Sequence, residues 1–163
     1  MDLADIQHNF ESLRSKIVAI EPVIGMIIEQ NSGQALQLVK DQLLLGRDAD
    51  GNPITPTYAS NEYADWKFGN EADYQSLILN KNLFPARSAG TPNLFLTGSF
   101  QRGLFLDSNP KETLVDSTDS KARMLENKYG NILDFSQEAK DVFWENVLAN
   151  ELYNYLMDGL RLY

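Results

Sequence analysis

The stretch that decides the fold runs from residue 94 to residue 132. It begins LFLTGSFQRGLFL (94–106) and ends MLENKYGNI (124–132). Its first part is denser in apolar residues than an exposed element needs, and Gly98 and Gly103 interrupt it. This part therefore predicts a short buried turn or helix that leads into a strand.

A β-hairpin follows from the next residues. Turn-forming residues fill positions 107–110, and β-forming residues alternate loosely from 112 to 117. We predict paired strands over 103–107 and 112–117. A short helix over 121–128 then follows, with Asp119 or Ser120 as its cap and Gly130 at its C-terminal stop.

The N-terminal part, residues 1–45, predicts helices. The apolar residues from Leu3 to Ile27 recur at alternating steps of three and four, which is typical of a helical seam. Pro22 divides it into a helix at about 2–20 and a second one that starts at the proline. The second helix bends or splits near residues 31–33 and closes at Gly46. The seam either packs within its own domain or meets a neighbouring subunit.

The central part, residues 46–93, is rich in loops. Asp48, Asp50 and Gly51 resemble part of a calcium loop, but the first and twelfth positions, which should be acidic, hold Gly46 and Thr57. We therefore predict a turn and no metal site. Aromatic residues near helical spacing predict a short helix over 59–67 whose aromatic face packs in the core, with a sugar-stacking or partner-binding face as the alternative. An extended arm or functional loop is expected over 69–93.

A long helix is predicted from Ser136, its N-cap, to about residue 160. At a hundred degrees per residue, one face is predicted to be the core side; it consists of Trp144, Leu148, Leu152, Tyr155 and Leu156. Phe143 and Val147 then project into a polar sector. We expect this second side to contact another chain.

The sequence also resembles a known family. The order LTGSF, hairpin, KARMLENKYG and C-terminal helix is similar to the tail-completion and neck proteins of tailed bacteriophages. The matching positions are Thr97, Gly98, Phe100, Glu126, Tyr129 and Gly130. Residues 46–60 resemble small virion proteins of gut-bacterial phages, including ring subunits of crAss-like phage tails. The resemblance covers residues 45–160. It implies a ring-forming virion subunit, assembled in the bacterial cytoplasm, that contacts the portal or adjacent tail rings.

Composition limits the other classes of function. A net charge of −9 without a basic stripe argues against a DNA-binding surface, although carboxylates lining a conduit would repel passing DNA. No apolar run is long enough for a membrane span. There is no cysteine, and His8 is the only histidine and is expected on the surface. Ser99 lacks a nucleophile elbow, and acid pairs such as Asp116 with Asp119, or Glu126 with another acid, are too common here to indicate a glycosidase.

We therefore expect a single α+β domain over residues 1–163, with N-terminal helices, a small antiparallel sheet around the hairpin of the 94–163 part, and a long C-terminal helix. No catalytic residue, cofactor or metal is predicted. The expected function is a ring subunit at the head-tail junction or tail barrel. A non-viral interaction module is the alternative, and a carboxylate glycosidase is the third choice. The predicted subunit interface consists of Leu3, Ile6, Phe10, Leu13, Ile17, Phe143 and Val147.

Overall fold

The computed structural model describes residues 2–83, 85–108 and 112–160. In chain order the elements are α1 (Leu3–Val18), α2 (Ile20–Gln30), α3 (Ser32–Leu44), α4 (Asn61–Gly69), α5 (Ala72–Gln75), α6 (Ser99–Arg102), β1 (Leu104–Ser108), β2 (Thr113–Ser117), α7 (Ala122–Tyr129), α8 (Gln137–Phe143), a π-helical segment (Trp144–Leu148) and α9 (Ala149–Met157). The predicted α+β class is confirmed, with N-terminal helices, a two-stranded antiparallel sheet and a long C-terminal helix.

The predicted hairpin is confirmed to within a residue. β1 pairs with β2 in a register that places Leu104 opposite Ser117 and Leu106 opposite Val115. The predicted turn at 107–110 ends outside the described residues. Leu104 and Val115 are buried while Phe105 and Leu114 are exposed, so the sheet has one core face and one outer face.

Helix α3 is the element around which the core is built, rather than the hairpin. Its residues contribute to two apolar clusters. Val39 and Leu43 pack with α6, the hairpin and α7 in the first cluster. Ala35 and Leu38 pack with α2, α8 and α9 in the second. A helix that is covered on two sides carries little amphipathic signal, so its central place is not visible in its periodicity.

Two polar residues of α3 hold the irregular segments in place. The Asp41 carboxylate is fully buried and accepts hydrogen bonds from the backbone N–H groups of Leu79 and Asn80. The adjacent Gln42 accepts one from the Ser136 N–H at 2.9 Å and donates to the Asp134 carbonyl. These bonds compensate the polar groups for the loss of hydration and hold the two segments against α3.

The helix breaks follow the predicted signals, with small shifts. α1 ends at Val18 and α2 begins at Ile20, so Pro22 lies in the first turn of α2 rather than at its first residue. The second helix splits at Asn31.

Gly46 follows α3 with a φ of 69°, and a Cβ there would lie 2.8 Å from Thr91 Cγ2. Glycine therefore suits both the backbone angle and the close approach of the 88–92 loop.

The C-terminal helix corrects the prediction for Phe143 and Val147. Ser136 caps α8 as expected, accepting from the Ala139 N–H. The helix then forms a π-helical segment, in which the Ala149 N–H bonds to the Trp144 carbonyl. The core row becomes Ala139, Phe143, Val147 and Leu152, with a final step of five residues. Phe143 and Val147 are buried, so the prediction that they project into a polar sector is wrong, and the reason for placing them in a subunit interface no longer holds.

The same correction applies to Trp144, which was expected on the core side and is half exposed. The prediction assumed a uniform rotation of a hundred degrees per residue, and a π turn changes the face that later residues present. Leu152 is buried as predicted, and Tyr155 and Leu156 are half-buried.

Candidate functional site

Helix α1 presents an uncovered apolar face. Leu3 is 80% exposed, Phe10 is 69% exposed and Ile17 is 59% exposed, while Ile6 is also exposed and Leu13 is half-buried. None of the 16 residues of α1 is buried. The structure therefore leaves five of the seven predicted interface residues on one helix whose apolar side is largely in solvent.

The sequence explains why α1 is nevertheless a helix. Asp2 and Asp5 form a capping box in which each carboxylate accepts the other residue's backbone N–H. At the other end, the Lys16 ammonium donates to the carbonyls of Tyr155 and Asp158 and lies 5.3 Å from the Tyr155 ring centroid. α1 is thus tied to α9 at its C-terminal end, while its apolar residues gain little burial.

A second apolar surface lies beside the π-helical segment. It is a groove of about 630 Å³ between the hairpin, α2 and the C-terminal helix. Leu114 and Trp144 line it and are each about half exposed, and Ile28, Phe135 and Leu148 complete its apolar lining. Lys140 and Asp141 are among its charged lining residues. The groove and the α1 face are different surfaces of one chain.

A third feature surrounds α4. The helix predicted over 59–67 is confirmed as α4. The prediction that its aromatic face packs in the core is wrong, because Tyr63 and Trp66 are exposed. The buried residues of this helix are Ala64 and Lys67. Aromatic spacing shows which side chains share a face and not which way the face points. Tyr58, Tyr63 and Lys67 line a cavity of about 190 Å³.

Burial changes the acid-base properties of two of these groups. Desolvation lowers the pKa of Lys67 to about 8, helped by the positive charge of Arg87. Desolvation likewise raises the pKa of Tyr58 to about 12. The sequence does not predict either pKa shift. Lys67 lies in a helix of mixed polarity, where most lysines are solvated.

The candidate acid pairs form a charge network instead of a catalytic pair. Arg123 bonds to Asp116 at 2.9 Å and to Glu126 at 2.6 Å, and thus lies between two of the three carboxylates. A hydrogen bond from Ser99 and one from the Lys121 N–H lower the pKa of Asp119. A general acid needs a raised pKa, so this arrangement does not favour acid catalysis.

The other predicted features are structural. Asp48 accepts from the N–H groups of Asp50 and Asn52, which is the predicted turn. His8 is exposed on α1 as expected. Within the described ranges, no group of three His, Asp or Glu side chains is arranged to hold a metal ion, and no helix has the length and apolar character needed to cross a membrane. Comparison with models of protein families, with curated proteins and with solved structures gives no match to this chain.

Proposed function

We propose that this protein is a structural virion subunit of a tailed bacteriophage and that it forms a ring at the head-tail junction or in the tail barrel. The observation that carries the proposal is the uncovered apolar face of α1. A helix of this length is marginal alone in water and gains stability mainly from packing. A neighbouring subunit that covers Leu3, Ile6 and Phe10 would supply that packing.

The groove beside Trp144 offers a second surface for a contact between neighbouring copies in a ring. A closed ring needs heterologous contacts, in which one surface of a subunit meets a different surface of the next. The α1 face is convex and apolar, and the groove is concave and exposes Leu114 and Trp144. We therefore place α1 of one copy in the groove of its neighbour.

The charge of the chain is compatible with a DNA conduit. A net charge of −9 makes a ring of many copies strongly acidic. Exposed carboxylates facing a lumen would repel phosphates and prevent DNA from adhering as it passes. The portal or adjacent tail rings would be the other protein partners.

The alternative is a non-viral interaction module that uses the same α1 face for a different protein. It predicts a monomer that joins a heteromeric partner and does not form a ring. The third choice, a glycosidase, has little support because Asp116 and Glu126 are both bound to Arg123.

The test is the assembly state of the full chain, measured by mass photometry and negative-stain electron microscopy over a range of concentrations. We expect a closed ring of uniform size. Phe10→Ser and, on the groove, Leu114→Ser should each convert the ring to monomers with unchanged far-ultraviolet circular dichroism. His8→Ser is the matched control, since His8 is an exposed α1 residue outside the apolar row, and it should assemble normally.

Two results would overturn the proposal. One is a wild-type chain that stays monomeric at every concentration and when mixed with the virion fraction of a phage encoding it. The other is a Phe10→Ser variant that forms the same ring as the wild type. If Phe10→Ser disrupts the ring while Leu114→Ser does not, α1 docks elsewhere and the groove assignment is wrong.

A further inference from the structure

In the part of the chain that the structure describes, Lys67 at this cavity is a buried cation without an ion-pair partner. Lys67 is only 3% exposed. Among the described residues the ion pairs are those of Arg87 and Arg123, and no hydrogen bond joins the Lys67 ammonium to another group. Its neighbours are instead aromatic: its nitrogen lies 5.2 Å from the Tyr58 ring centroid and 6.0 Å from that of Tyr63.

Such a burial is costly unless something compensates it. A buried charge is ordinarily paired, and two tyrosine faces supply only part of the lost hydration energy. Arg87, the nearest buried cation, adds repulsion and is itself paired with Glu71. An anion that enters the cavity would give Lys67 the partner that the described residues do not provide.

The rest of the lining suits a singly charged anion. The charged residues that line the cavity are Lys67, Lys121 and Asp119. When Lys67 is protonated, the lining therefore carries a net charge of one positive unit. The Asp119 carboxylate accepts hydrogen bonds from Ser99 and from the Lys121 N–H, and the positive charge of Lys121 also lowers its pKa. Its charge disfavours a doubly charged group such as phosphate.

The backbone at the cavity wall is strained at Leu94. Leu94 has a φ of 53°, the only positive φ of a non-glycine residue in the described chain, and Gly98 has a φ of 76°. Both residues line the cavity. A leucine rarely adopts this backbone conformation, and such strain concentrates at binding sites. Asn93, which is buried and bonded to Glu71, fixes the strained segment.

We propose that this cavity binds a carboxylate, with the Lys67 ammonium as its counter-ion and the Tyr63 ring packed against the carbon skeleton of the ligand. At about 190 Å³ the cavity is smaller than a typical drug-sized pocket and fits a small organic acid or the end of an acidic side chain. The inference does not depend on ring formation.

The test is a titration of the full chain, labelled at lysine Cε and Nζ, followed by nuclear magnetic resonance at fixed pH. The probes are benzoate, acetyl-glutamate amide and inorganic phosphate. We expect a saturable change of the Lys67 signals with a carboxylate probe. Lys67→Met should weaken that binding about tenfold or more, the loss expected for a charge-assisted hydrogen bond. Lys81→Met, at an exposed lysine away from the cavity, is the control.

The probes separate the possible sources of the carboxylate. Binding of benzoate indicates a free organic acid, whereas binding of acetyl-glutamate amide alone indicates an acidic side chain of another protein, and either supports the proposal. Phosphate that binds as tightly as the carboxylates overturns it. An unchanged Lys67 signal with every probe also overturns it, as does equal binding by a folded Lys67→Met variant.

Discussion

The Lys67 ammonium lies 5.2 Å from the centroid of the Tyr58 ring, and burial shifts the pKa values of these two side chains in opposite directions. The lysine pKa falls to about 8 and the tyrosine pKa rises to about 12. Both shifts favour the neutral form, as expected where water is displaced from both groups.

The first prediction concerns stability against pH. The pKa of Lys67 falls from 10.5 in the unfolded chain to about 8 in the folded one. Between these values the unfolded chain binds more protons, so the free energy of unfolding rises with pH. Relative to Lys67→Met, the wild type should gain roughly 2 kcal/mol between about pH 7 and about pH 9.5. Urea unfolding at several pH values measures the gain.

The upper limit of this pH range is set by Tyr58. Its pKa rises from 10.0 to about 12 on folding, so above pH 10.0 the unfolded chain loses a proton that the folded chain keeps, and stability falls. A Tyr58→Phe variant should lose this decline and retain the rise due to Lys67. A wild-type curve that runs parallel to that of Lys67→Met below pH 10 would contradict the pKa of Lys67.

The second prediction concerns the buried pair of Arg87 and Glu71. Arg87 packs over the Phe68 ring and also donates to the Thr91 carbonyl, and Glu71 accepts from the Asn93 side chain. Arg87→Met leaves a buried carboxylate without its cation and should cost about 3–5 kcal/mol of unfolding free energy. Chemical denaturation measures this loss.

The control for the buried pair is Arg123→Met. Arg123 also contacts two carboxylates, but its side chain is largely exposed, and exposed ion pairs contribute little to stability. Adding Glu71→Gln to Arg87→Met should restore part of the stability because it removes the uncompensated charge. Equal losses in the two single variants would show that the 69–93 segment is held by other contacts.

Local signals predicted much of the fold. Ser136 as a cap, Gly130 as a stop, Pro22 near a helix start and the alternation around the hairpin each act over a few residues, and each is observed at or near its predicted position. The spacing of apolar residues in α1 is compatible with a seam that packs within its own domain and with one that is left for a neighbouring subunit. Periodicity shows that a face is apolar, and only the packed structure shows whether the chain covers it.

The features that sequence reasoning missed depend on distant partners. Asp41 bonds to residues about forty positions away, and Glu71 pairs with Arg87 across an irregular segment. No short motif marks such contacts. Lys67 was overlooked because a lysine among aromatic residues is ordinarily a solvated one whose stem covers the rings.

The third prediction tests why the C-terminal helix buries Phe143. The core row takes steps of four, four and five from Ala139 to Leu152, and the π-helical segment absorbs the extra residue. Deleting the exposed Asn150 shortens the last step to four, so the segment should become α-helical while Leu152 keeps its place. Deleting Asp141 instead rotates Phe143 and everything after it by about a hundred degrees relative to Ala139.

Thermal unfolding followed by circular dichroism should therefore show a smaller loss of stability for the Asn150 deletion than for the Asp141 deletion. The reverse order would mean that the π-helical segment is required by contacts other than those of Leu152, such as the exposed Trp144 in the groove.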